Sequence, residues 1–456
     1  MDLYLPLLSF VKFVSFRCQL LLRFGLSVVI IFSAIHLVAV ASNDITFKQD
    51  GYSEELRLES EVVYSGLEFP TSMAFLGPDD ILVLEQGKGT VQRILHGEIM
   101  NEPILDVNVV NERDKYGAKE ERGLLGIAVA DHIGDSTTSR YVFLYYTEAE
   151  GQDGGDPIGN RLYRYDLVDN KLVNPKLLLY LPVDNNNPAH NGGPVVIGPD
   201  ENIYLVIGNL VGPNLSNDVE ESLDQNIQNG KDPDGRGGIL RVTQDGEVVD
   251  NEGILGDNHP LDKYYAYGIR NSFGIAFDPI TGNLWDTENG GFFDEINLVS
   301  AGFNSGWNKL SGKSEFKEGF DAENDLIDFD GKGKYSDPEF SWWGGTVPTA
   351  ILFFHSDRLG TEFEHDLFVG TATGNLYHFD LTKDRTQLDL KGDLDDKLAD
   401  NFEESESALV ASNLGIVTDL ELGPDGYLYG TTYQENGSIF RINLDHVLAL
   451  GSHNTN

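Results

Sequence analysis

Residues 196–206 read VIGPDENIYLV. Gly198-Pro199-Asp200 is tight-turn chemistry: glycine tolerates the backbone angles, proline presets φ, and aspartate bonds the backbone beyond the turn. The run that follows, IYLVIG at 203–208, is short, apolar and rich in β-branched and aromatic side chains, as a buried strand requires. The same unit of apolar residues, proline turn and apolar strand recurs as FLGPDDILVL at 75–84, AFDPITGNLW at 276–285 and ELGPDGYLYG at 421–430. The prolines Pro78, Pro199, Pro279 and Pro424 stand roughly three, two and four units of ~40 residues apart, and such a unit is the length of a propeller blade.

The same texture extends outward. Short apolar runs separated by Gly, Asp, Asn and Pro appear as ILVLEQ (81–86), YVFLYYTE (141–148), GIAFDP (274–279), DLFVG (366–370) and YLYGTTY (427–433), and no long amphipathic helix interrupts them. Between about 60 and 450 there is room for roughly six units of ~40–50 residues. The spacing predicts an all-β fold, a six-bladed β-propeller, as a single domain over 42–456, because nothing in the chain reads as a linker. LRLESEVVYSG (56–66) and SIFRINL (438–444) are expected to complete one blade together, which removes free sheet edges.

Residues 1–41 read as a leader. FGLSVVIIFSAIHLVAVA (24–41) is uncharged, follows Lys12, Arg17 and Arg23, and ends in Ala39-Val40-Ala41, a cleavage-site pattern. Cleavage gives a secreted protein beginning at Ser42; without it, a run this long anchors the chain in a membrane. The one cysteine, Cys18, lies in this leader, so the domain is expected to hold together without disulfides or thiolate metal sites. The net charge of −42 argues against nucleic acid and anionic membrane surfaces as partners. Membrane contact is left to an uncleaved anchor alone. The acidity suits solubility or divalent cations. The dense run DLDDKLADNFEESESA (392–407) reads as a solvated loop or short helix. DFDGKGKYSDPE (328–339) partly fits a calcium loop, but Lys332 occupies a position that needs oxygen, and it reads as an acidic loop.

His190 opens HNGGPVVIGPD (190–200) and admits two readings. It is either a packed turn residue bonded to backbone, or the base of an active site where two glycines let a ligand approach. A resemblance bears on the choice. LEFPTSMAFLGPDDILVLEQ (67–86), EERGLLGIAV (120–129), HNGGPVVIGPDENIYLVIGN (190–209), the Gly-Ile-Arg-Asn to Asp-Glu-Ile-Asn signature within 265–308, and LELGPDGYLYGTTYQENGSIFRI (420–442) are similar to the glucose/sorbosone dehydrogenase family. These are soluble sugar dehydrogenases that use pyrroloquinoline quinone (PQQ) on a six-bladed propeller.

That resemblance implies a secreted quinoprotein acting on an aldose-type sugar, with an external electron acceptor. His190 becomes the general base that takes the proton of the anomeric hydroxyl. Arg270 and Asn271 hold the cofactor, with Glu121 and Asn289 lining the same pocket; Glu121 equally suits a backbone cap. Gly290 and Gly291 offer carbonyls to a calcium ion (Ca2+), and Asp294 and Glu295 offer carboxylates to a second. The alternative for this last group is a polar turn with solvated acids, and for Arg270 an ordinary ion pair.

The chain also departs from the family. Gly415-Ile416-Val417-Thr418-Asp419 stands where cofactor-binding members carry Gly-Arg-Ile-Arg-Asp, so two cations are absent. DLFVGTATGNLYHFD (366–380) lacks the usual Lys or Arg, Pro194 replaces a frequent Arg, and Asn209 replaces an Asp. His378 partly compensates or is a satisfied strand residue. Two further functions stay open: a propeller that binds sugar or protein without redox chemistry, and a calcium-dependent lactone hydrolase.

Overall fold

The computed structural model describes residues 56–111, 121–131, 140–185, 187–211, 224–251 and 253–446. The leader at 1–41 lies outside them. Among the described residues no helix is long and apolar enough to cross a membrane.

The strands form an all-β propeller. They group into six sheets, five built from successive strands that pair in chain order. Each sheet begins with an inner strand: Pro70–Gly77, Leu124–Asp131, Val195–Ile197, Ser272–Phe277, Pro348–Phe354 and Val417–Leu422. Each inner strand touches the next, and the last touches the first, so they make a closed ring. The sixth sheet is completed from both ends of the domain. Leu56–Leu67 pairs antiparallel with Gly437–His446, with Leu58 opposite Leu444 and Val62 opposite Phe440.

Apolar packing follows the ring. Six buried clusters fill the six spaces between neighbouring sheets. Trp285, Phe340, Trp342 and Phe353 pack between the fourth and fifth sheets. Met73, Ile81, Tyr429 and Ile439 pack between the first and sixth, where the ring closes. Alternate residues of a strand face opposite neighbours, so both faces of these strands are apolar. That explains runs such as ILVLE and IYLVI, which are buried throughout.

The proline turns work as the sequence suggests. Asp200 Oδ1 accepts from the Asn202 amide, and its Oδ2 accepts from the Tyr204 hydroxyl at 3.0 Å. Asp425 repeats the pattern with the Tyr427 amide and the Tyr429 hydroxyl at 2.8 Å. Arg241 and Arg441, each from the following strand, approach these aspartates at 3.7 and 3.8 Å. In the third copy of the unit Asp278 is fully buried, and Arg385 from the fifth sheet clasps both its oxygens at 2.7 and 2.9 Å. The acidic stretch at 392–407 is a 3-10 turn (Gly392–Leu394) and a one-turn helix (Phe402–Ser405) capped by Asn401. The calcium-like string at 328–339 is a turn leading into the short strand Lys334–Tyr335.

Candidate active site

His190 sits in the connection before the inner strand of the third sheet. It is buried and takes a left-handed backbone, φ 59°, uncommon for a residue with a side chain. Gly208, on the neighbouring strand end, explains the close quarters. A Cβ there would lie 2.5 Å from the His190 carbonyl oxygen and 2.7 Å from Asn271 Oδ1. Only glycine lets these segments meet.

The histidine's ring is fixed. Asn209 Oδ1 lies 2.7 Å from His190 Nδ1 and also accepts the Val211 amide at 3.1 Å. An oxygen already accepting from an amide requires a donor from the ring, so the proton is on Nδ1 and Nε2 keeps its lone pair. Burial, then the nearby Arg270 charge, holds His190 down to about 4, so the ring is neutral at pH 7.

Glu121 ties three of the expected residues together. Its Oε2 accepts from the His190 amide at 2.5 Å and from Asn271 Nδ2 at 3.3 Å. Burial raises its carboxyl above the usual range. Glu121 caps backbone, and it also borders the central cavity. Arg270 joins the group through Asn209, whose amide donates to the Arg270 carbonyl at 2.8 Å. The Arg270 guanidinium donates to the Asn289 carbonyl at 2.8 Å and lies 5.5 Å from the Trp307 ring centroid. Among the described residues it makes no simple ion pair, yet Glu288, Glu121 and Asp294 all act on it electrostatically. Asn289 is buried, with its amide on the Asn271 carbonyl and its side chain on the Pro348 carbonyl. Among the described residues, Asn271 Oδ1 and Trp307 Nε1 are buried with no partner.

The acids divide in a way the sequence hides. Strand Leu284–Glu288 pairs with Phe293–Val299 so that Asp286 opposes Asn297 and Glu288 opposes Glu295. Directly opposed residues share a face, so these four side chains stand together between the third and fourth sheets. All four are buried, and among the described residues no hydrogen bond of good geometry reaches the Asp286 oxygens or Asn297 Oδ1, although Asn297 and Ser272 stand close enough to Asp286 to act on it. Burial and mutual repulsion push Asp286 and Glu295 well above the carboxylate range; burial pushes Glu288 to about 7. Buried carboxylate oxygens gathered on one face suit a hard cation. Their ligand atoms are not gathered as closely as those of Asp366, His378 and Asp380, which lie within 4.8 Å of one another, so a cation here needs water among its ligands.

Asp294 points the other way. Its oxygens accept from the Gly290 amide at 3.3 Å and the Val347 amide at 2.8 Å, which pins two loops. The structure therefore separates Asp294 from Glu295. Gly290 and Gly291 lie in the tight link between the two strands: a Cβ on Gly290 would lie 1.6 Å from the Phe293 carbonyl oxygen, and one on Gly291 would meet the Trp307 ring. Asp286 and Asn297 escaped sequence reasoning, which takes Glu288 only as the first residue of the stretch Glu288-Asn289-Gly290-Gly291; the available signal was polar residues at spacing two inside otherwise apolar strands.

The ring of inner strands surrounds a cavity of about 530 Å³. Among the described residues its lining includes Glu121, Asp419 and Glu421 but no Lys, Arg or His. Ile416 and Thr418 are part of this wall. Ile416 is 42 % exposed, and the Thr418 hydroxyl donates to the Pro70 carbonyl at 3.0 Å. His378 belongs elsewhere, beside Asp366 at 3.0 Å on the outer part of the fifth sheet.

Comparison with known proteins bears on the fold and the family. The Glucose / Sorbosone dehydrogenase family model matches residues 67–441. The aldose sugar dehydrogenase of Escherichia coli K12 is 25 % identical over 84 % of this chain and 92 % of its own. Quinoprotein glucose dehydrogenase B of Acinetobacter calcoaceticus is 30 % identical, over 63 % of this chain and 60 % of its own. Among solved structures, a putative glucose dehydrogenase from Thermus thermophilus superposes with a TM-score of 0.63 at 26 % identity, covering 84 % of this chain and 99 % of that one.

Proposed function

Because the chain belongs to the glucose/sorbosone dehydrogenase family, we propose that it is a secreted, calcium-binding oxidoreductase that oxidises an aldose-type sugar, with His190 as general base and PQQ as hydride acceptor. We also read each of the six sheets as one blade. The observation that carries the chemistry is the fixed tautomer of His190, which leaves Nε2 as a proton acceptor.

The quinone, when bound, supplies the acceptor for the hydride of the sugar's anomeric carbon. His190 Nε2 takes the proton of the anomeric hydroxyl. Its depressed pKa keeps the base form fully available at pH 7. Asn209 holds the ring, and Glu121 holds the backbone beneath it. Arg270 suits a planar carboxylate through its guanidinium fork, and Asn271 Oδ1 and Trp307 Nε1 are polar atoms in want of partners. These residues fit the group on the Arg270 side; the opposite wall, with Ala372, Ile416 and Thr418, contributes no cation. Calcium is assigned to the face bearing Asp286, Glu288, Glu295 and Asn297, with Gly290 and Gly291 beside it.

The bare opposite wall favours a second reading, a sugar- or protein-binding propeller without redox chemistry. One experiment separates the two: titrate the purified chain with PQQ and calcium, follow the cofactor's absorbance, and assay dye reduction with a panel of aldoses. Bound cofactor and aldose-dependent reduction support the dehydrogenase. No bound cofactor and no reduction with any aldose leave the binding propeller in its place.

A further inference from the structure

The central cavity has a chemistry that the sugar reaction does not use. Its walls are mostly apolar, with Ile127, Ile197, Ile275, Phe277 and Leu352 contributed by different inner strands. The threonine hydroxyls in it are already committed. Thr71 donates to the Leu124 carbonyl at 2.8 Å, Thr349 to the Gly370 carbonyl at 3.3 Å, and Thr418 to that of Pro70. What remains is a pair of acids on one strand. Asp419 and Glu421 are two residues apart on Val417–Leu422, so they lean to the same side. Asp419 Oδ2 accepts from the Met73 amide at 2.7 Å and the Ser72 hydroxyl at 2.9 Å. Among the described residues, no donor is found for Glu421, whose surroundings offer only burial and the charge of Asp419.

We propose that this cavity binds an amphipathic organic cation: an apolar body against the isoleucine, phenylalanine and leucine walls, and a protonated amine head against Glu421 and Asp419. The volume, about 530 Å³, falls in the range of small-molecule sites. Charge selects the class. An anion meets three acids, Glu121, Asp419 and Glu421, and among the described lining residues no cation. A bare hard cation satisfies the acids but leaves the apolar walls facing water. A neutral alcohol fills the apolar part but brings a single O–H donor and no charge to the acids. An alkylammonium satisfies both, since its three N–H donors face carboxylate oxygens while its chain removes apolar wall from water. The cavity shares Glu121, Ala372, Ile416 and Thr418 with the proposed quinone site, but the amine head is placed on Asp419 and Glu421, away from His190, Arg270, Asn271 and Asn289, which do not line it.

The test is isothermal titration of the full chain at pH 8 with hexylammonium, hexanol and hexanoate, repeated in saturating calcium. Hexylammonium should bind at least about tenfold more tightly than hexanoate, and calcium should not displace it. Glu421→Gln, which keeps the shape and removes the charge, should weaken hexylammonium by at least about tenfold and leave hexanol within about twofold. Glu421→Leu serves as a second variant, and the melting temperature of each confirms folding. Equal binding of hexanoate and hexylammonium overturns the proposal. So does an unchanged amine affinity in both variants, displacement by calcium, or no uptake of any of the three probes.

Discussion

Stripping calcium from the buried acids should make the fold less stable as pH rises through the neutral range. Burial pushes the Glu288 carboxyl to about 7, against 4.5 for an ordinary glutamate. Between those values the folded chain holds a proton that the unfolded chain has released, so raising the pH favours unfolding. The contribution is complete below pH 4.5 and lost above pH 7. A shift of that size is worth about 3 kcal/mol, at ~1.4 kcal/mol per unit. Asp286 and Glu295 are displaced in the same direction and add to it. His190 runs the opposite way: held down to about 4 from 6.5, it contributes stability that is present above pH 6.5 and lost as pH falls towards 4. The difference between wild type and Glu288→Gln isolates the acid. Calcium binds only the deprotonated carboxylates, and at ~100 times its Kd it returns about 2.7 kcal/mol at pH 8 and much less at pH 5. The assay is guanidinium unfolding at pH 5, 6.5 and 8, in chelator and in excess calcium. If wild type and Glu288→Gln give parallel pH profiles in chelator, or if calcium stabilises equally at pH 5 and pH 8, the assignment of a cation to this face is wrong.

Other tests address the remaining parts. Arg385→Ala leaves the buried Asp278 carboxylate unpaired and should cost about 3–5 kcal/mol in urea unfolding; a loss below ~1 kcal/mol would mean the pair is dispensable. His190→Asn tolerates the left-handed backbone but removes the base, so aldose oxidation by the reconstituted protein should slow by roughly 10²–10⁴-fold while cofactor absorbance is retained. An unchanged rate would remove His190 from the chemistry. The double variant Ile416→Arg/Thr418→Arg should tighten PQQ binding measured by absorbance titration; unchanged affinity would show that the wall no longer faces that ligand.

The parts legible in the sequence are those whose chemistry is local. A Gly-Pro-Asp turn followed by a tyrosine is self-contained, and Asp200–Tyr204 and Asp425–Tyr429 carry it out within four residues. Closure of the ring by the two end strands was readable because joining the first and last runs in one blade removes free sheet edges. The acid face was not readable, since register decides it. Asp294 and Glu295 are adjacent in sequence and stand on opposite faces, whereas Asp286 and Asn297, eleven positions apart, are directly opposed. Asn209 registers in the sequence merely as a departure from aspartate. Its effect, fixing a neutral histidine without a counter-charge, needs the contact to the ring and to the Val211 amide together.

The sixth sheet also sets a timetable. Arg441 meets Glu61 across 380 positions of chain. At roughly 5–20 residues per second, a ribosome takes on the order of half a minute to deliver the second strand after the first. Throughout that interval Leu56–Leu67 is an unmated β-strand on a growing chain. Its sequence, LRLESEVVYSGL, places Arg57, Glu59 and Glu61 among the apolar residues, and charges at such spacing discourage mispairing with other nascent chains. The acids that look like ordinary surface charge in the finished ring thus act earliest, as guards on an edge that waits for synthesis to end.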